Sequence, residues 1–290
     1  MAAVGHPQAP DRPRRGRTPR GRAALRYTAL VLMLLVMTGP FLWQLSTSLK
    51  GATEDIYTSP PQLLPQHPTF ANYRDVAEII PVWDFILNSV KVALTNVAAN
   101  VVGAALAGYA LSRLRFRGRA AAGTLFVLAL LVPTEATMLA QFATMRTLEL
   151  NNTLVAVVLP GCIGAMNVLL MRNAFDSIPY EIEEAAIVDG ANVWQRFSRI
   201  ALPAVKGTLA VVAIFSFMGA WDDFLWPLIV LSDSEHFTLT VGLNFLHGTF
   251  SDNQRVVAAG TIIAVAPLIV MFACLQRFFF RGVGEGAVKG

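Results

Sequence analysis

Long apolar stretches alternate with short polar segments along most of this chain, and their lengths decide its structural class. A helix needs about 20 mostly apolar residues to cross the hydrocarbon core of a bilayer. Six stretches are close to that length or longer, at residues 25–45, 85–111, 120–142, 154–171, 207–231 and 258–279. They are too long for barrel strands, and a backbone in lipid must satisfy its own hydrogen bonds. The pattern therefore predicts an all-α protein, a polytopic membrane bundle of six transmembrane helices.

The composition agrees with a membrane class. Of the 290 residues, 54% are hydrophobic and only 14% are charged, whereas soluble domains carry about 25% charged residues. Cys162 and Cys274 lie inside apolar stretches without the spacing of a metal site or a redox pair, so we interpret them as packing residues. The net charge of +4 does not indicate nucleic acid binding, because the basic residues lie in short segments that flank apolar ones.

The basic residues predict an orientation, because loops rich in Lys and Arg stay on the cytoplasmic side of a membrane. If the N-terminus is inside, the basic clusters within residues 12–26, 113–119, 172–206 and 277–289 are all cytoplasmic. The external loops then keep only a few basic residues, namely Lys50, Arg74, Arg146 and Arg255, with Lys91 in or near the second span. We therefore expect a multi-pass protein of the plasma membrane with both termini in the cytoplasm.

The two ends of the chain differ from its apolar middle. Residues 1–23 are rich in Arg, Pro and Gly and have too few apolar side chains to form a core, which predicts a disordered basic cytoplasmic tail. A signal peptide is the alternative, but no small-x-small cleavage site precedes Lys50. The six-span domain is expected over residues 24–281. Residues 282–290, which are rich in glycine, are expected to form a flexible cytoplasmic tail.

One predicted cytoplasmic segment is longer than a simple connection in a compact bundle requires. It covers residues 172–206 and is called the connector segment below. Pro179 can open a helix, and the glutamates after it place negative charge at the positive end of that helix. Gly190 can end the helix, because glycine accepts a left-handed conformation. A second short amphipathic helix is predicted over residues 192–200, before Pro203.

The connector segment contains a run of small and acidic residues at fixed spacing, Glu184, Ala185, Ala186, Asp189, Gly190 and Ala191, followed by Phe197, Leu202 and Pro203. This pattern resembles the EAA loop of ABC importer permeases, although many relatives have proline where this chain has Gly207. In that family the loop docks on the ATPase subunit. The resemblance implies that Glu184 forms an ion pair with the ATPase, that Asp189 caps or docks, and that Gly190 makes the turn. An amphipathic loop resting on lipid headgroups is the alternative.

Further strings extend the resemblance to sugar-importer permeases, and the closest type is the second six-span permease of maltose-like systems. They lie at residues 68–73 (PTFANY), 88–89 (NS), 108–118 (GYALSRLRFRG), 221–228 (WDDFLWPL) and 286–290 (GAVKG). The resemblance implies a second, different permease subunit, two ATPase subunits and an extracellular solute-binding protein that delivers a mono- or oligosaccharide. This chain has no G-x-x-x-x-G-K-[ST] loop, so we expect no cofactor in it and ATP hydrolysis by the partner ATPases.

Carboxylates inside predicted spans are costly and therefore suggest function. Glu135 lies in the third span, and Asp222 and Asp223 lie in the fifth beside Trp221. We assign these four residues to a translocation path; the alternative is that they cap helix irregularities or belong to an interfacial aromatic belt. Many relatives have Asn in place of Asp222. An ion-coupled secondary transporter is the rival function, whereas no metal or triad spacing of His, Cys and carboxylates suggests an enzyme.

Overall fold

The computed structural model of the protein describes residues 20–58, 62–246 and 253–287. In these ranges the chain is helical and contains no strand, which confirms the all-α class. Residues 1–19 of the predicted N-terminal tail lie outside the described residues, whereas residues 20–23 already belong to the first helix. The last helix continues to Ala287, so the structure has helix over most of the predicted C-terminal tail. Helix propagation adds one hydrogen bond per residue, and no proline interrupts it there.

The helices are numbered in chain order. The first seven are α1 (Arg20–Ser48), α2 (Ala71–Ile79), α3 (Val82–Arg113), α4 (Arg119–Ala129), α5 (Thr134–Thr147), α6 (Leu154–Val158) and α7 (Ala165–Asp176). The next seven are α8 (Tyr180–Val188), α9 (Val193–Gln195), α10 (Leu202–Ala204), α11 (Lys206–Asp222), α12 (Leu225–Val230), α13 (Leu239–Asn244) and α14 (Gln254–Ala287). A π-helix, Arg196–Ala201, joins α9 to α10.

Three helical stretches in the described part of the chain are individually long and apolar enough to cross a membrane: Ala24–Ser48, Val82–Arg113 and Gln254–Cys274. Three further candidates are helix pairs with a bend at a short break. The bends are 106° between α4 and α5, 45° between Leu154–Gly161 and α7, and 78° between Val193–Ala204 and α11. The described residues thus contain three spanning helices, or up to six if each bent pair is one span.

Local chemistry explains where the predicted continuous stretches break. Pro133 precedes the first turn of α5 with an extended backbone, and its ring and missing N–H disfavour an uninterrupted helix with α4. The predicted fifth stretch, residues 207–231, divides at Asp223, whose backbone is extended between α11 and α12. Apolar content alone predicted the location of these stretches but not their interruptions.

Helix α3 is the centre of the bundle and packs against both α7 and α11. At Gly108 a Cβ atom would lie 2.7 Å from the Cβ of Met171 and 2.8 Å from the backbone nitrogen of Arg172. Only glycine permits this close approach of α3 and α7. Helix α1 instead lies at the edge against α14, and its most apolar window has no buried residue. So much exposed apolar surface requires lipid or another protein to cover it.

The loop after α1 closes around Glu54, which is buried. Its carboxylate accepts hydrogen bonds from the backbone N–H groups of Gly51 (3.0 Å), Gln66 (2.9 Å) and His67 (2.9 Å). Burial opposes ionisation of this carboxyl group, but the three backbone donors outweigh it and lower the pKa of Glu54 to about 2. The guanidinium of Arg255 donates to the Glu54 carbonyl oxygen, which joins the loop to the start of α14.

We expect Glu54 to stabilise this loop only while it is ionised. Its pKa falls from 4.5 to about 2 on folding, so the stabilisation is complete above pH 4.5 and is lost as the pH falls towards 2. Glu54→Gln should therefore speed amide hydrogen exchange at Gly51, Gln66 and His67 at pH 7, and the difference from the parent should shrink below pH 4.5. Glu78→Gln, at an exposed position of α2, is the control. Equal exchange of parent and Glu54→Gln at pH 7 would contradict this role.

Candidate functional site

The first half of the connector segment has the predicted helix and glycine turn. Helix α8 begins after Pro179, and Gly190 has a left-handed φ of +80°. The N–H of Ala191 donates to the carbonyl oxygen of Ala186 over 2.9 Å, and the N–H of Gly190 donates to that of Ile187 over 3.0 Å. These bonds close the C-terminal turn and fix the direction in which the chain leaves α8.

The second half begins with a capping box. The Asn192 side chain accepts a hydrogen bond from the N–H of Gln195 over 2.9 Å, and the Gln195 side chain accepts one from the N–H of Asn192 over 2.8 Å. The chain then widens into the π-helix, continues through α10 and bends by 78° into α11. The second predicted helix is therefore present, with a π-helical geometry that is uncommon and often found at functional sites.

The predicted docking residues separate into an exposed set and an interior set. The exposed set is Glu184, Ala185, Asp189 and Gly190, with Ala191 half-buried. Ala186 and Phe197 are 8% and 6% exposed and pack into the interior. Large apolar side chains are exposed beside the first set, namely Ile182, Ile187, Val188 and Trp194. The connector segment thus exposes small, acidic and apolar groups that are close together in sequence. This exposed surface, called the docking face below, has no covering element in the described part of the chain.

Three charged residues that are absent from the predicted docking set lie close together behind this face. Glu183 of α8 is buried between Arg113, the last residue of α3, and Arg196 of the π-helix. The spacing of Glu183 and the buried Ala186 is three residues, which places both on one side of α8. Glu184 has the same spacing from Ile187, so the sequence contains no signal that separates the buried Glu183 from the exposed Glu184.

A separate cavity of about 280 Å³ lies between α3, α5, α7 and α11. Its deep wall is an amide cluster in which Asn100 accepts hydrogen bonds from the backbone N–H of Gly164 (2.8 Å) and the side chain of Asn167 (2.9 Å). Asn167 also donates to the Ser216 hydroxyl over 3.1 Å. These buried groups satisfy one another. Polar side chains also line the cavity at more accessible positions, namely Asn96, Gln141 and Asp223.

The structure places the four residues of the predicted translocation path in different surroundings. Asp223 is half-buried and lines the cavity, and Asp222 is exposed at a neighbouring hollow that Asp223 also borders. Trp221 is 2% exposed; its indole N–H donates to the carbonyl oxygen of Ala264 over 3.0 Å. Glu135 is exposed in the first turn of α5. The structure thus brings Asp222 and Asp223 together, but neither Trp221 nor Glu135 is among the residues that line this cavity.

The amides of this cavity were not predicted, because the candidate path residues are charged or aromatic side chains within the spans. Asn96 and Asn100 lie four residues apart on α3 and therefore on the same face of the helix. Asn167 lies in the predicted fourth span. Amide side chains at helical spacing inside apolar stretches are the sequence signal that predicts such a cluster, because buried amides need polar partners.

Known proteins resemble the chain over almost its whole length. The inner membrane ABC transporter permease protein YcjP of Escherichia coli (strain K12) is 35% identical over 268 residues, covering 91% of this chain and 95% of that protein. The galactooligosaccharides transport system permease protein GanQ of Bacillus subtilis (strain 168) is 33% identical over 275 residues, covering 93% and 96%.

A solved structure has the same fold. It is a bacterial ABC transporter involved in the import of the acidic polysaccharide alginate, one chain of which matches with a TM-score of 0.78 and 24% identity, covering 93% of this chain and 100% of that chain. Residues 99–285 match the family described as the inner membrane component of binding-protein-dependent transport systems. Family match and relatives agree, and this chain belongs to the inner membrane components of binding-protein-dependent transport systems.

Proposed function

We propose that this chain, a permease subunit of an ABC importer, moves a mono- or oligosaccharide across the plasma membrane. The partners in this proposal are a different permease subunit, two ATPase subunits and an extracellular solute-binding protein. Its support is the family membership together with relatives such as GanQ, which by name serves galactooligosaccharide transport. The chain is a transport component rather than an enzyme, and this family gives no support to an ion-coupled secondary transporter.

We also propose that the connector segment docks on the ATPase subunit. The observation that carries this docking proposal is the uncovered docking face of the connector segment. Glu184 and Asp189 supply negative charge for a basic ATPase surface, and Val188, 86% exposed, supplies apolar area that contact would remove from water. Ala185 and Gly190 are small enough for close approach. Because ATPase subunits of importers work in the cytoplasm, the connector segment is proposed to be cytoplasmic, and the basic residues near both termini agree with cytoplasmic ends.

The cavity supports a sugar substrate by its chemistry. Asn96, Gln141 and Asp223 offer amide and carboxylate groups that hydrogen-bond hydroxyls, and apolar side chains that include Phe215 and Trp226 complete the lining. A few polar groups among apolar walls are typical of small-ligand sites. We therefore assign Asp223, with Asp222 beside it, to the translocation path. Trp221 is assigned to packing instead, because its ring is buried and stacks on the ring of Phe217, with the centroids 5.5 Å apart.

The docking proposal predicts that Glu184→Lys releases the ATPase. A lysine would repel the basic partner and leave it unpaired, a loss of about 3 to 5 kcal/mol if the pair is well buried in the complex. The measurement is the amount of ATPase that copurifies with the tagged permease from membranes. Glu181→Lys introduces the same charge at another exposed position of α8 and should retain more ATPase. Equal retention by the parent and Glu184→Lys would contradict docking through Glu184.

The turn can be tested independently of charge. Gly190→Val should weaken ATPase retention, because a left-handed conformation costs an L-residue about 1 to 2 kcal/mol and a β-branched side chain resists it further. Gly190→Asn should keep most of the retention, since asparagine tolerates this conformation. The same copurification assay measures both variants. If valine and asparagine behave alike, the left-handed turn is not what docking requires.

The cavity proposal predicts that Asp223→Ala and Asn96→Ala weaken uptake without releasing the ATPase. Losing one hydrogen bond worth about 1.5 kcal/mol should raise the KM for the transported sugar roughly tenfold. Uptake of a panel of radiolabelled mono- and oligosaccharides into cells measures the effect. Glu135→Gln, at an exposed position outside the lining, should leave the KM near the parental value. A larger effect at Glu135 than at Asp223 would contradict the assignment of Asp223 to the path.

A further inference from the structure

Glu183 is buried behind the docking face, where it cannot reach a partner protein directly. Its carboxylate lies 3.5 Å from Nη1 of Arg113 and 3.1 Å from Nη1 of Arg196. The Tyr109 hydroxyl also donates to it, over 2.8 Å. The side chains of Arg113, Glu183 and Arg196 are 1%, 11% and 15% exposed. One carboxylate therefore joins α3, α8 and the π-helix inside the protein.

Arg113 in turn joins the end of α3 to the start of the connector segment. Its guanidinium donates to the carbonyl oxygens of Phe175 and Ile178, the latter over 2.5 Å. It also lies 4.5 Å from the ring centroid of Tyr180. Beside it, the Ser112 hydroxyl donates to Asp176 over 2.6 Å. The end of α3 is thus bound to residues on both sides of the junction between α7 and α8.

Aromatic rings enclose this ionic cluster. The ring centroids of Tyr109 and Phe175 are 5.5 Å apart, and those of Tyr109 and Phe197 are 5.1 Å apart. All three rings belong to one buried apolar core. Such an enclosure limits solvent access, so the ion pairs act with little screening. Phe197, which the sequence pattern assigned to docking, closes the cluster on the side of the π-helix.

Stability alone is a poor explanation for this cluster. A buried ion pair is often no more stabilising than apolar residues of similar volume. Here two guanidiniums face one carboxylate, and Nη1 of Arg113 and Nε of Arg196 are buried without a hydrogen bond among the described residues. What such a pair does provide is a defined geometry between the elements that carry it. The elements joined here are the connector segment and the central helix of the bundle.

We propose that Glu183 is a positioning residue that fixes the connector segment to α3, so that the two move as one body when the ATPase displaces the docking face. This inference rests on the proposed docking of the connector segment. Helix α3 also carries Asn96 and Asn100 of the cavity, about 25 Å and about 20 Å from Arg113 along the helix. A displacement of α8 therefore reaches the cavity through a rigid helix rather than through a flexible loop.

The test measures whether the connector segment stays fixed to α3 when the ATPase closes. Spin labels are placed at Arg199→Cys in the π-helix and Arg115→Cys, two residues beyond α3, after Cys162 and Cys274 are changed to Ala. Both label positions are exposed. Distances are recorded on the purified complex with its ATPase, without nucleotide and after trapping with ATP and vanadate. The parent should give one distance distribution that is the same in both states.

Glu183→Gln should retain the ATPase but give, in the trapped state, a broader distribution with a second distance that the parent lacks. Glu181→Gln, the same change at an exposed position of α8, should match the parent. Arg196→Gln breaks the same connection from the π-helix while leaving Arg113 paired with Glu183, and it should reproduce the effect of Glu183→Gln.

Parental distributions in both Glu183→Gln and Arg196→Gln would overturn the proposal. So would loss of the ATPase from both variants while the parent retains it, because the cluster would then serve docking or folding rather than positioning. Absence of an ATPase from the parental complex would instead refute the docking on which this inference rests.

Discussion

A polar group that is buried inside a protein must find a partner there. Three clusters of buried polar groups meet this constraint at different places in the structure. Glu54 gathers backbone N–H groups in the loop after α1. Asn100 and Asn167 bond to each other in the middle of the bundle. Glu183 joins two arginines where α3 meets the connector segment. The first cluster closes a single loop, whereas the second and third link helices that are distant in sequence. Buried polar groups that lacked these partners would be costly.

Helix α3 connects two of these clusters and thereby relates the candidate docking face to the candidate cavity. Its last turn holds Tyr109 and Arg113 against Glu183, and its middle holds Asn96 and Asn100 at the cavity. Between them, Gly108 lets α3 lie directly against α7. A helix that is packed closely on two neighbours transmits displacement with little deformation, since packed interiors are nearly incompressible.

The sequence predicted the features that depend on local chemistry. Apolar length located the spanning stretches, and Pro179 with Gly190 predicted the helix and turn of the connector segment, which the structure contains. The breaks at Pro133 and Asp223 were missed, because apolar content carries no information about backbone direction. Likewise, Glu183 and Glu184 are identical in sequence terms, and only the rotation of α8 on the bundle decides that the first is buried and the second exposed.

The position of α1 has a consequence for how the chain is assembled. Helix α14, on which it packs, is synthesised after every other described helix. Until then, α1 has to remain as an independently stable helix in the bilayer, as expected when spans insert first and associate later. Contact between α1 and α14 brings together segments that are separated by most of the chain. Contacts between residues that are far apart in sequence form slowly in folding. The contact at the rim of the bundle thus forms only after the described helices between α1 and α14 have been synthesised.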